Sequence, residues 1–141
     1  MSMTAKSRRL AGILMIVLPS VIYGGVSLLG LLIHDPSYMQ NPLRQNLFRA
    51  GHAHAGVLLL LTLIILRYVD EANLTEGWKS AVRFLIPSAA ILLPAAFFFS
   101  VLKADADKPN ILINLAFVGA GCLVFGLIVL GIGLIRIQQK P

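Results

Sequence analysis

Two histidines and an arginine stand together at the head of a long apolar run, in Arg49-Ala50-Gly51-His52-Ala53-His54-Ala55-Gly56. Ionisable groups on a membrane-spanning helix cost on the order of 2–4 kcal/mol each, so they mark function by default. Imidazole ligates metals and exchanges protons near neutral pH, and guanidinium pairs with carboxylate or phosphate. These residue types give three expected roles. His52 is the axial or metal ligand, His54 a hydrogen-bonding or proton-exchanging group, and Arg49 the partner of an acidic group such as a haem propionate or a lipid phosphate. Residues two apart on a helix point about 200° apart, so His52 and His54 cannot both bind one metal from a regular helix. Gly51, Ala55 and Thr62 fall on one stripe, which His54 flanks more closely. His54 is therefore expected to touch a neighbouring helix, while His52 shares a second face with Arg49.

Four segments are long and apolar enough to position this motif in a bilayer: about 10–33, 47–66, 84–102 and 111–135. A span needs roughly 20 apolar residues. The second can begin earlier, because Asn41-Pro42 is an N-cap followed by proline at the first helical position. With each midpoint at the bilayer centre, His52 and His54 lie about 6–9 Å from the midplane. Ser27, Phe97 to Ser100 and Ala116 to Gly119 fall at a similar depth, with Asn114 slightly nearer the surface. Ser27, Ser100 and Asn114 are thus the candidate supporting shell. On the first span Ser20, Tyr23, Ser27, Gly30 and His34 recur at helical spacing, and such a stripe should face protein. The last span is rich in small residues, and Ala116-x-x-x-Ala120 predicts close helix packing.

Basic residues set the orientation. Lys6, Arg8, Arg9, Arg67, Lys79, Arg83, Arg136 and Lys140 fall on one side, against Arg44, Arg49, Lys103 and Lys108 on the other. That bias predicts both termini in the cytoplasm. The predicted fold is all-α: one membrane domain over 1–141, an up-down-up-down four-helix bundle in a bacterial-type cell membrane, multi-pass.

Composition narrows the chemistry further. The chain is 57% hydrophobic and 13% charged, so its net charge of +6 reads as lipid-facing helix ends rather than a nucleic-acid surface. Cys122 is the one cysteine, which excludes an intrachain disulfide and a CxxC motif. The apolar stretch after Lys6, Arg8 and Arg9 is too long for a signal-peptide core and is read as a retained span. No nucleophile elbow is present. No acidic residue lies inside a span, so a complete proton path across the bilayer is not visible.

Arg49-x-x-His52 followed by an apolar helix resembles the start of a haem-ligating helix in subunit I of haem-copper oxidases and nitric-oxide reductases. The similarity covers about a dozen residues and implies His52 as the position of a low-spin haem ligand. The whole layout also resembles small bacterial four-span proteins with a His-x-His second span, a likeness that carries no known activity. The leading expectation is an accessory or assembly subunit of a membrane complex, more plausibly not an enzyme, with the bilayer and a homo-oligomer or larger complex as partners. The alternatives are haem or transition-metal binding at His52 and His54, and a proton- or quinone-linked role.

Overall fold

The computed structural model describes residues 3–136. Lys140, counted above toward orientation, lies outside them. The described chain is all-helical, with α1 Ala5–His34, a short α2 Pro36–Met39, α3 Pro42–Val69, α4 Glu76–Ser100, a 3-10 turn Ile111–Asn114 and α5 Leu115–Ile135. Four of these helices have the length and composition to cross a membrane. They form an up-down-up-down bundle whose neighbours pack in chain order: α1 on α3, α3 on α4, α4 on α5.

Capping chemistry sets several of the boundaries. Asn41 accepts a hydrogen bond from the Arg44 amide at 3.0 Å with Pro42 in the first turn, so α3 starts at the earlier of its two expected positions. Asp35-Pro36 uses the same device. The Asp35 carboxylate takes the Ser37 and Tyr38 amides at 2.9 and 3.2 Å, and one helical turn forms between the first and second spans. α1 begins at Ala5, ahead of its apolar run, because Thr4 accepts from the Ser7 amide.

α5 lies closest to its neighbour along Gly119, Gly126 and Gly133, seven residues apart. A methyl group at Gly119 would sit 3.1 Å from Leu92 and Leu93, and one at Gly126 2.8 Å from Ile86; at Gly133 it would collide with Leu74. The predicted Ala116/Ala120 pair is not this contact. Ala116 packs beside Leu58, Ala89 and Leu93, while Ala120 is exposed. Glycine wins because only it lets backbones approach so closely.

α1 is the loosest member. Ser7 is its one fully buried residue. Its polar stripe does not face protein: Ser20, Tyr23, Ser27 and His34 are exposed. Ser20 and Ser27 bond the carbonyls of Val17 and Tyr23 at 2.7 and 2.9 Å, so neither needs a partner helix.

A polar clamp holds the N-terminal end of α1. Ser7 Oγ donates to Asp70 Oδ1 at 3.0 Å, and the Thr4 amide donates to Asp70 Oδ2 at 2.8 Å. Arg83 donates from Nε to Ser7 Oγ at 2.9 Å and from Nη2 to Asp70 Oδ1, and its Nη1 stands 3.7 Å from Glu76. Both Asp70 and Arg83 side chains are buried. Burial opposes ionisation of Asp70, but hydrogen bonds from Thr4, Arg83 and Ser7 outweigh it and hold the carboxyl below its ordinary value of 3.8. The same end gathers the start of α1, the end of α3 and the end of α5, where the Asn73 amide donates to the Gly133 carbonyl at 2.8 Å.

Two outcomes follow from this packing. Gly126→Val should lower the thermal midpoint in detergent by the equivalent of about 1–3 kcal/mol, the usual cost of overpacking. Gly121→Val, where nothing lies within 4 Å, is the control and should change little. The clamp is expected to be pH-dependent. A carboxyl whose folded pKa is depressed stabilises fully above its unfolded pKa and loses that stabilisation as pH falls through the folded value. Stability of the wild type should therefore decline as pH drops from about 5 toward about 3, and Asp70→Asn should flatten that part of the profile while costing roughly 3 kcal/mol at neutral pH. Equal acid sensitivity in the two proteins would exclude Asp70 as the titrating group.

Candidate functional site

The two histidines leave opposite sides of α3. His52 is half-buried against α1, where Gly24 and Gly25 make a notch for its ring. A methyl group at Gly25 would fall 3.0 Å from Nε2, and one at Gly24 3.7 Å from Nδ1. His52 makes no hydrogen bond among the described residues. His54 projects toward α4, its ring tilted at 57° on Phe97 with centroids 5.1 Å apart. Its Nδ1 stands 2.7 Å from the Ala50 carbonyl. A carbonyl only accepts, so Nδ1 is the donor of this bond and Nε2 is left outside it. Both histidines thus touch a neighbouring helix, His52 on α1 and His54 on α4.

The stripe beside His54 is built as its spacing implies. Gly51 receives the Phe98 ring, with a methyl there only 3.0 Å from it, and Thr62 is buried and bonded to the Leu58 carbonyl. Phe98 also meets Phe48 edge-on at 5.4 Å. Phe97 and Phe98 therefore pack on α3, while Phe99 is exposed.

Beside His52 a cleft of about 270 Å³ opens between α1 and α3. Its α1 wall is Gly25, Leu28, Leu29 and Leu32. Its other wall is Gln45, Arg49 and His52, one helical turn apart along α3, with Tyr38 of α2 at one end. Arg49 is exposed and bonds only its own helix, from Nε to the Gln45 carbonyl at 3.2 Å and from Nη2 to Asn46 at 2.7 Å. It makes no ion pair among the described residues. Gln45 spends its amide N–H groups on the Tyr38 and Met39 carbonyls. No acidic side chain lines the cleft.

The remaining sequence candidates lie elsewhere. Ser27 is on the exposed face of α1 and bonds back to Tyr23. Ser100 is buried at the end of α4 and bonds the Phe97 carbonyl at 3.3 Å. Asn114 is exposed and forms no side-chain cap on α5. None of the three hydrogen-bonds a histidine. The described residues contain no cluster of three or more His, Cys, Asp or Glu side chains able to hold a metal ion.

Sequence reasoning missed Arg44 and Tyr38. Arg44 is buried, with its guanidinium 5.7 Å from the Tyr38 ring centroid and 5.3 Å from that of Phe48. Its Nε donates to the Val101 carbonyl at 3.3 Å, and its Nη1 is buried without a hydrogen-bond partner. Burial raises the Tyr38 hydroxyl above its ordinary value, against the opposing pull of Arg49 and Arg44, so it remains a protonated donor. The signal was present in Asp35-Pro36, the cap that turns Tyr38 inward.

No family model, curated protein or solved structure matches the chain. The chemistry of the site rests on its own geometry.

Proposed function

We propose that this small integral membrane protein is an accessory component that takes an amphiphilic ligand from the bilayer into the cleft between α1 and α3. The observation that carries this reading is the make-up of the cleft: leucines on one wall, and Gln45, Arg49 and His52 on the other. An amphiphile would lay its apolar part along Leu28, Leu29 and Leu32 and present its head to the polar wall. The volume of about 270 Å³ falls just below the roughly 300–1,000 Å³ of small-molecule sites, which suits a head group and the start of a chain lying open to lipid. The positive-inside bias supports an orientation with the clamp of Asp70 and Arg83 at the cytoplasmic end and the cleft in the outer half of a cell membrane. The exposed α1 then offers a face toward a larger complex or a second copy.

A second reading has one observation in its favour. The bond from His54 Nδ1 to Ala50 fixes the ring and leaves Nε2 outside it, the arrangement by which ligating histidines are oriented. Haem iron or a transition metal would bind there with its further ligands supplied from outside this chain. His52 is the less suitable ligand, because both of its nitrogens face the backbone of α1.

For the cleft reading, protein purified in mild detergent should retain a stoichiometric amphiphile on solvent extraction, and Leu29→Trp, which fills the apolar wall at an exposed position, should lose it. Retention unchanged by Leu29→Trp would rule the cleft out. For the second reading, the optical spectrum and metal content decide. A Soret band abolished by His54→Ala and kept by His52→Ala would support it, and a colourless, metal-free protein from haem-replete cells would count against it.

A further inference from the structure

Resting on the cleft reading, we infer that the ligand is a lipid with a net negative phosphate-ester head, and that Arg49 is the residue that selects it. Three observations bear on the head group. The first is charge: Arg49 lies two turns inside α3, lines the cleft, and has no carboxylate partner, while the cleft wall holds no acidic side chain. An uncompensated guanidinium at this depth is costly, and an anion removes that cost. The second is hydrogen-bonding sense. Arg49 and the Tyr38 hydroxyl, both lining the cleft, are donors. A phosphate oxygen accepts from several donors at once, and charge-assisted bonds to guanidinium are the strong ones. A neutral carbonyl head, such as that of a quinone, would satisfy the donors but leave the Arg49 charge unmatched. The third is access. Leu29 and Leu32 are exposed along the membrane-facing side of α1, so a chain reaches the cleft sideways, without passing through the bundle. Arg49 already uses Nε and Nη2 on its own helix, which holds the guanidinium in place and leaves Nη1 for the head.

The test compares retention of phosphatidylglycerol and phosphatidylcholine with identical chains by native mass spectrometry of the full chain in detergent, with inorganic phosphate as a third probe. The wild type should prefer the anionic lipid by roughly tenfold, the scale of one charge-assisted contact. Arg49→Gln should reduce that preference to near unity, and Arg49→Lys should keep part of it. Both positions are exposed, and matched thermal midpoints without lipid would show each variant folded. Equal binding of the two lipids, both lost in Leu29→Trp, would overturn the anionic head and leave the cleft standing. Lipid binding indifferent to Leu29→Trp would remove the cleft itself. Inorganic phosphate competing as well as the intact lipid would refute a lipid ligand in favour of a free anion.

Discussion

Apolar helices in a bilayer gain little from leaving lipid for one another, so what binds them must be close van der Waals approach or polar contact. The bundle uses each where the other is missing. α4 and α5 meet through Gly119 and Gly126, where the absence of a side chain lets Leu92, Leu93 and Ile86 reach backbone, and Gly133 does the same for Leu74 in the connection before α4. Around this contact Ile65, Val82, Ile86 and Leu130 form the largest buried cluster. α3 joins the same core through Ile65 and Val69, and meets α4 again where Phe98 lies on Gly51.

α1 has no such seam. It has a glycine notch over His52 and a charged clamp at its N-terminal end, with little burial between. Its placement therefore depends on Asp70, which collects the Thr4 amide, the Ser7 hydroxyl and the Arg83 guanidinium. A buried ion pair stabilises little against a hydrophobic replacement, but breaking one is costly. Its value here is positional, because it fixes one end of a helix that lipid would accept at many angles. The cleft is the consequence: two helices pinned at one end and separated by an imidazole further along leave a gap beside it.

The four spans, the N-cap at Asn41 and the stripe of Gly51 and Thr62 were legible because each is a local or periodic signal. The rotation of α1 was not. Its serines read as a protein-facing stripe, yet a serine on a helix can satisfy itself on the preceding turn, so polarity alone does not say which way the face turns. The clamp was invisible for a different reason. Ser7 lies 63 residues from Asp70 and 76 from Arg83, and each alone looks like an ordinary helix-end polar group. Depth matching put the α4 phenylalanines level with the histidines, and the contact of Phe97 with His54 has that register. The same matching gave His52 Ser27 rather than Gly24 and Gly25, an offset of about one turn that a loosely held helix absorbs.

The two arginines near the cleft show why one is structural and the other is available. A cation in the first turn of its own helix opposes the helix dipole, so Arg44 begins at a disadvantage on α3. It recovers this across the helix pair, because Val101 is the C-cap of α4, and a cation at a helix C-terminus meets the dipole's negative end. The Tyr38 and Phe48 rings add faces for the guanidinium to lie against. Neighbouring carbonyls at the same end are taken by Asn110, which bonds Phe99 from its side chain and Ser100 from its amide. Arg44 is thus committed to closing α4. Arg49, one turn and one residue further on, meets no helix end, no ring and no carboxylate. Its bonds to Gln45 and Asn46 orient the guanidinium without neutralising it. The charge on Arg44 is answered by the fold, while no carboxylate among the described residues answers the charge on Arg49.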